Sequence, residues 1–297
     1  MNALEIKNLC VDLGRFKIEN LNLTVKKGVI TGLVGANGAG KTTLINALMR
    51  AQEAKSGSIL YGGVPFAGNE AEVLSSLACD FDSIKFYPMV KPKKLVKIYK
   101  SIYPDFDMQK FNELTAKFSL PTDIRVSKYS FGMQKKLNFI LALCQGAKTL
   151  ILDEPTSGVD PYDRNEITSL LQEFMMDGEH TVLFSTHITE DLDKIADYIV
   201  MIDEGKIILD SDKESLLENY RLVRAATLTP EMEREAIGVS RDMFGYTFVT
   251  KSKDIADGDG VQVRVPTVEE IFVHVVKKGR RDVNSADGYS SKDIFGI

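Results

Sequence analysis

The clearest chemical signature in the sequence is a glycine-rich turn at residues 35–42, which reads GANGAGKT. It matches the phosphate-binding pattern G-x-x-x-x-G-K-[ST] at every fixed position. An apolar run precedes it at residues 29–34 and helical apolar spacing follows Lys41, so we expect a strand, a loop and a helix in that order. The backbone N–H groups of such a loop turn inward around phosphates, and the helix dipole favours the same negative charge.

The side chains of this loop have different expected roles in holding ATP and Mg²⁺. We expect Lys41 to reach the β and γ phosphates, Thr42 to supply an oxygen to Mg²⁺, and Thr43 to assist at the α-phosphate. The alternative is a glycine-rich turn with an accidental lysine, which the surrounding pattern disfavours. The residues predicted to bind ATP here are Gly35, Asn37, Gly38, Ala39, Gly40, Lys41, Thr42 and Thr43.

A second motif is an apolar run at residues 149–152 that ends in two carboxylates, Asp153 and Glu154. Asp153 is predicted to hold Mg²⁺ through water, and Glu154 to orient and deprotonate the attacking water as general base. Surface acids often follow strands, so the pair alone would leave a purely structural interpretation open. The phosphate-binding loop upstream favours the catalytic interpretation.

With these motifs in place, residues 4–210 resemble the ABC ATPases. YSFGM followed by QKKL is similar to the ABC signature, in the variant form common among bacterial exporter ATPases. Ser130 and Gly132 match the family pattern, whereas Phe131 stands in place of a glycine and Met133 in place of a glutamine. A serine hydroxyl and unpaired N–H groups at a helix start form an anion site. In isolation, Ser130 would be interpreted as an ordinary N-cap.

Two further segments resemble family motifs in the expected order. Residues 157–160, SGVD, are similar to the D-loop, and His187 follows an apolar strand as the family's switch histidine does. The resemblance implies that His187 bonds the γ-phosphate and holds the water together with Glu154. A lone histidine is more often structural, and that interpretation applies to His180 and His274.

The sequence departs from the family pattern at two places. The glutamine of the loop that joins the core to the helical subdomain is replaced by Asp82, which we expect to meet Mg²⁺ or water while adding negative charge. The early aromatic residue that stacks on adenine would fall near Leu13, so Phe16 is the predicted substitute.

The resemblance implies an α/β fold: a P-loop NTPase (RecA-like) core with an antiparallel β subdomain, an ABC helical subdomain and a small C-terminal α+β extension. Apolar strands that return after residue 149, separated by helical stretches, also predict a parallel sheet covered by helices. We expect an ATPase domain over residues 1–210, with its helical subdomain at about 85–145. The extension over 211–297 is expected to pack on the core, with a flexible tail from about 282.

Within the extension, the segment SDKESLLENYRL predicts a helix, and YTFVT and VQVRV predict strands around a DIADGDG turn. Thr267 and Glu270 have the spacing of a capping box for a last helix. The segment PTVEEIF also resembles a helix start in ATPases that serve small bacterial exporters with separate permease chains. A capped helix with one apolar stripe that closes the fold is an equally good interpretation.

Composition narrows the class of protein. The chain has 297 residues, 44% hydrophobic residues and a net charge of −5, which fits a globular protein and argues against nucleic acid as a partner. Its three cysteines lack the spacing of a zinc site or a disulfide framework. With neither a secretory leader nor about 18 consecutive apolar residues, we expect a cytoplasmic location.

The resemblance implies an ATP-binding and hydrolysing subunit that powers export by ATP-driven dimer closure. The signature of one chain completes the loop site of another, so the implied partners are a second ATPase subunit, identical or different, and one or more membrane permease subunits. The protein would then lie on the inner face of the cell membrane. Residues 81–90 and the helix KPKKLVKIYK are the expected docking surface for the permease, with a solvated helix face as the equal alternative.

Other ATPases of the same core are weaker interpretations. Members that act on ribosomes resemble two such cassettes in one chain, and chromosomal members carry long heptad arms. This chain has one phosphate-binding loop and about 90 residues between Lys41 and Ser130. A regulatory protein that binds ATP without hydrolysing it is disfavoured, because Lys41, Asp153, Glu154 and His187 are all present.

Overall fold

The computed structural model describes residues 2–80 and 88–281. The strands are β1 (Asn2–Asp12), β2 (Lys17–Lys26), β3 (Ile30–Val34), β4 (Ser56–Tyr61), β5 (Val64–Pro65), β6 (Leu77–Asp80), β7 (Thr149–Asp153), β8 (Thr181–Thr186), β9 (Tyr198–Asp203), β10 (Lys206–Asp212), β11 (Arg221–Ala225), β12 (Ile237–Asp242), β13 (Gly245–Thr250) and β14 (Val261–Arg264). The α-helices are α1 (Lys41–Leu48), α2 (Glu70–Ser76), α3 (Pro92–Ile102), α4 (Met108–Lys117), α5 (Phe131–Leu143), α6 (Pro161–Phe174), α7 (Thr189–Ile195), α8 (Lys213–Asn219), α9 (Pro230–Glu235) and α10 (Val268–Arg281).

A six-stranded sheet forms the centre of the fold, in the order β10-β9-β3-β8-β7-β6. The strands from β9 to β6 pair in parallel, and β10 adds an antiparallel edge. Every residue of β3, β7 and β8 is buried, as expected of parallel strands covered on both faces. The predicted parallel sheet is confirmed.

Alternate residues of the central sheet face two hydrophobic clusters. Leu33, Ile151 and Leu183 pack with α1 and the antiparallel sheet β2-β1-β4-β5. Leu150, Val182 and Phe184 pack on the opposite face with apolar residues of α5, α6 and α7. Each fully buried aliphatic or aromatic side chain contributes roughly 1.5–3 kcal/mol to folding, so the two clusters fix the sheet between its layers.

Helices α3, α4 and α5 lie between β6 and β7 in the chain. Asp107 caps α4 by accepting a hydrogen bond from the backbone N–H of Lys110 at 2.8 Å. In the predicted permease-docking helix, α3, Leu95 and Val96 are buried, whereas the lysines of the same helix are exposed. A basic face therefore points to solvent.

The C-terminal segment forms a four-stranded sheet in the order β12-β13-β11-β14. The helix predicted for SDKESLLENYRL is too long, because α8 ends at Asn219 and the next residues belong to β11. The predicted strands YTFVT and VQVRV exist as β13 and β14, but they do not pair with each other. Both strands pair with β11. The sequence pattern did not predict β11, because Tyr220 and Leu222 also fit the apolar stripe of a helix.

Helix α10 joins the C-terminal sheet to the part of the chain that holds the central sheet. The predicted capping box is confirmed: the N–H of Thr267 donates to Glu270 Oε2 at 2.9 Å, and the N–H of Glu270 donates to Thr267 Oγ1 at 3.2 Å. Ile271 and Phe272 are fully buried in the same cluster as Leu192 of α7. Among the described residues, no helix is long and apolar enough to cross a membrane.

Candidate active site

The carboxyl ends of three adjacent strands, β3, β7 and β8, meet at one edge of the central sheet. The glycine-rich loop leaves β3 and enters α1, as the sequence predicts. Gly40 adopts φ 112°, and a Cβ at Gly35 would lie 2.5 Å from the carbonyl oxygen of Ile202. Neither position accepts a side chain without rearrangement, which explains both glycines.

Lys41 turns its ammonium back into this loop. Its Nζ donates to the carbonyl oxygens of Gly35 at 2.7 Å and Ala36 at 3.3 Å, and lies 3.4 Å from Glu154 Oε1. The side chain is only 6% exposed, so its charge acts in a poorly solvated place. A cation so placed can neutralise phosphate oxygens held by the loop.

Asp153, the last residue of β7, is buried and accepts two hydroxyl hydrogen bonds. Thr42 Oγ1 donates to its Oδ2 at 2.9 Å, and Ser185 Oγ donates to its Oδ1 at 2.5 Å. Thr42 and Asp153 therefore present converging oxygen atoms next to the loop. Hard oxygen ligands of this kind fit Mg²⁺, which takes few protein ligands and shares the rest with phosphate and water.

Glu154 lies between Lys41 and His187. Its Oε2 is 2.7 Å from His187 Nδ1 and accepts from the backbone N–H of His187 at 3.4 Å. Its own backbone has φ 53°, in the left-handed region, and its N–H donates to Ser185 Oγ at 3.0 Å. A carboxylate held between an ammonium and an imidazole can accept a proton from a water molecule beside the loop.

Comparisons with known proteins identify the family of the chain. The sequence profile described as ABC transporter matches residues 18–157. The lantibiotic transport ATP-binding protein SrtF of Streptococcus pyogenes is 31% identical over 70% of this chain and 90% of its own length. This chain belongs to the ABC transporter ATP-binding proteins.

Other relatives extend the comparison. The bacitracin transport ATP-binding protein BcrA of Bacillus licheniformis is 31% identical over 69% of this chain and 67% of its own length. The Nod factor export ATP-binding protein I of Neorhizobium galegae is 30% identical over 68% of this chain and 59% of its own length. A solved structure of an ATP-binding subunit of an ABC transporter superposes with a TM-score of 0.66, at 22% identity, over 73% of this chain and 92% of that one. The predicted fold and ATPase class are confirmed.

The cleft of this ABC ATPase has a volume of about 530 Å³. Several predicted site residues line it together. The described site residues that are not in its lining are Gly35, Ala39, Ser130, Gly132 and Asp153. Phe16 lies against the loop, with Cζ 2.7 Å from the place of a Cβ on Gly40, and lines the cleft with Leu13. The predicted site residues in the lining are Phe16, Asn37, Gly38, Gly40, Lys41, Thr42, Thr43, Glu154 and His187.

The signature segment begins α5. Ser130 is the N-cap, and its Oγ accepts from the backbone N–H of Met133 at 3.2 Å. Phe131 is 53% exposed and reaches the edge of the cleft. Gly132 lies near the D-loop, where an added Cβ would be 3.4 Å from the carbonyl oxygen of Gly158. Ser130 and Gly132 thus do not line the cleft of their own chain, whereas Phe131 between them does.

Sequence reasoning missed two residues that support the site. Ser185 receives the N–H of Glu154 and donates to Asp153, so it holds the two carboxylate residues relative to β8. Lys135 of α5 is 1% exposed and donates to the carbonyl oxygens of Asp153 at 3.4 Å and Glu154 at 3.0 Å. Nothing in the segment QKKL distinguishes Lys135 from an exposed lysine, and only the packing of α5 against β7 shows that it is buried. Asp82 lies outside the described residues.

Proposed function

We propose that this ABC ATPase powers export through a separate membrane permease. The observation that carries the proposal is the convergence of Lys41, Glu154 and His187 at the mouth of the phosphate-binding loop. The names of similar proteins support the direction and the kind of cargo: lantibiotic transport, bacitracin transport and Nod factor export. The signature variant, which resembles that of bacterial exporters, supports the same direction.

ATP binds with its phosphates against the loop N–H groups, where Lys41 exchanges its contact with Glu154 for the β and γ oxygens. Phe16 stacks on the adenine at the other end of the cleft. Thr42 and Asp153 would hold Mg²⁺, which neutralises charge on the phosphates when it is bound. Asp82 remains a predicted third contributor to this metal environment.

Hydrolysis then uses Glu154 and His187. Glu154 accepts a proton from water, the water oxygen bonds to the γ-phosphorus, and the bond to the β–γ bridging oxygen breaks to release ADP and phosphate. His187 holds the water and the γ-phosphate in line, because its imidazole is fixed by Glu154 at 2.7 Å. Ser185 keeps both acids in register with β8.

A second ATPase subunit completes each site. Ser130 and Gly132, at the start of α5, do not line the cleft of their own chain, and they meet the γ-phosphate bound by another chain. ATP between two such surfaces favours the closed dimer, and hydrolysis releases it. The closing and opening drive the permease, which keeps the ATPase at the inner face of the membrane.

The assembly is tested with Glu154→Gln, which keeps the shape of the side chain but cannot accept the proton. We expect this variant to form a stable dimer with ATP, measured by size-exclusion chromatography with light scattering at several protein concentrations. Wild type serves as the reference, with and without ATP. A Glu154→Gln protein that stays monomeric with ATP at high concentration would contradict homodimerisation.

The matched control is Ser130→Arg in the Glu154→Gln background. The bulky side chain fills the anion site offered to the other chain, so the double variant should remain monomeric while still binding ATP in its own loop. A fluorescent ATP analogue reports that binding. If the double variant dimerises as well as Glu154→Gln, the signature does not complete the partner's site.

A further inference from the structure

We propose that the C-terminal segment positions the switch histidine of this ABC ATPase, with Glu269 as the positioning residue. Glu269 lies in the first turn of α10, and its Oε2 accepts from Thr189 Oγ1 at 3.1 Å. Thr189 begins α7, two residues after His187. A contact across 80 residues of sequence thus reaches the segment that carries a proposed catalytic group.

A second pair of residues brings α10 and α7 together. The carboxylate of Asp193 on α7 faces the backbone N–H of Val268 at the start of α10. Thr189 and Asp193 are four residues apart, so they lie on one face of α7 and meet α10 together. Val268 and Leu192 are fully buried in the same hydrophobic cluster, so apolar packing also holds α10 against α7.

The segment between β8 and α7 transmits this position to His187. Thr186 Oγ1 accepts from the N–H of Ile188 at 2.9 Å, so the turn around His187 is closed by a local hydrogen bond. At its other end, Thr189 is only 6% exposed and is held by Glu269. His187 therefore sits on a short segment fixed at both ends, and a displacement of about 1 Å in such a group reduces catalysis strongly.

Lys213, just after β10, also holds α7 in place. Its Nζ donates to the carbonyl oxygens of Leu192 at 3.4 Å and Asp193 at 2.9 Å. Residues on both sides of the C-terminal sheet thus hold α7, at its start and near its end. Its link to Thr189 makes hydrolysis sensitive to the placement of α10.

The proposal, which rests on the proposed role of His187, is tested by steady-state ATPase kinetics of Glu269→Ala. The side chain is exposed, so the variant should fold normally. Losing one hydrogen bond to a charged acceptor should lower kcat about fivefold, with the KM for ATP unchanged within about twofold. Thr189→Val should match it. Glu269→Gln and Thr189→Ser keep an acceptor and a donor, so both should retain most of the wild-type kcat.

Glu270→Ala is the matched control on the same turn. It removes the ion pair of Glu270 with Arg264 and one hydrogen bond of the capping box, but not the contact with α7. It should keep the wild-type kcat. A loss equal to that of Glu269→Ala would show that general loosening of α10 causes the effect, and would overturn the proposal.

Double variants test the positioning role of Glu269 separately from the proposed role of His187 in hydrolysis. His187→Ala alone should lower kcat, and wild-type activity in that variant would contradict the mechanism whatever Glu269 does. In the His187→Ala background, Glu269→Ala should cause no further loss, because the histidine it positions is gone. An additional fivefold loss there, or an unchanged kcat for Glu269→Ala alone, would overturn the positioning role.

Discussion

The ring of Phe131 occupies the space that a side chain at Gly158 would fill. A Cβ at Gly158 would lie 2.6 Å from Cε1 of Phe131, and Gly158 has φ 71°. Phe131 belongs to the signature segment, where it stands in place of the family's glycine, and Gly158 belongs to the D-loop. The glycine at position 158 leaves room for the aromatic ring at position 131. The two motifs, which we propose to face a second subunit, are thereby packed together within one chain.

Gly158→Ala should therefore disturb both the backbone and the Phe131 ring. The left-handed φ costs roughly 1–2 kcal/mol for alanine, and the ring must also move. Gly178→Ala is the matched control, because Gly178 has φ 70° with nothing within 4 Å of an added Cβ. In denaturant unfolding, both variants should lose a similar amount of unfolding free energy, because both place alanine at a left-handed φ. Only Gly158→Ala should also lose ATPase activity. Equal activity in the two variants would mean that the Phe131 contact does not matter.

Thr42→Ala should weaken the response to Mg²⁺. The variant removes the hydroxyl that lies 2.9 Å from Asp153 Oδ2 and that we propose as a metal ligand. The Mg²⁺ concentration for half-maximal ATPase activity should rise by about tenfold or more, and Thr42→Ser should restore it. Thr43→Ala, at the neighbouring threonine, should change the KM for ATP instead. A Mg²⁺ response of Thr42→Ala identical to wild type would contradict the assignment.

His274 should make folding stability depend on pH. Burial lowers the pKa of its imidazole and Lys277 lowers it further, against the opposing effects of the Gly238 carbonyl and Glu270. The unfolded state therefore binds more protons below about pH 6.5, and the stability contributed by neutral His274 is lost as the pH falls.

The measurement compares wild type with His274→Gln, which keeps a donor for the Gly238 carbonyl but does not titrate. The stability advantage of wild type should shrink between about pH 7 and about pH 5 in urea unfolding. His180→Gln controls for a partly exposed histidine, paired with Asp177. An advantage that is constant over this range would contradict the prediction.

Local patterns predicted the phosphate-binding loop and the acids after β7, because each motif is contiguous in sequence and flanked by strongly apolar strands. His187 was identified only through the resemblance to the family's switch histidine, and its 2.7 Å contact with Glu154 could not be predicted. That contact depends on β7 and β8 being parallel neighbours in register, with Asp153 opposite Ser185.

The supporting residues were hidden because their roles are set by tertiary packing. Lysine is a residue type that is usually exposed on a helix. The packing of α5 against β7 nevertheless buries Lys135, which donates to two backbone carbonyl oxygens. Strand β11 was not predicted, because its apolar residues also fit a helix. It forms a strand because it pairs with β13 and β14, which a local pattern does not show. The Thr189–Glu269 contact joins segments 80 residues apart and leaves no local pattern.

The most direct test of the central claim, that Glu154 is the base for ATP hydrolysis in this cleft, is the steady-state ATPase rate of Glu154→Gln beside wild type with Mg²⁺ and saturating ATP. Removing a general base lowers the rate by about 100-fold or more, while ATP affinity should stay within about threefold because the loop and Lys41 are unchanged. Such a loss with preserved affinity is the predicted result. A Glu154→Gln protein that hydrolyses ATP at the wild-type rate would contradict the account.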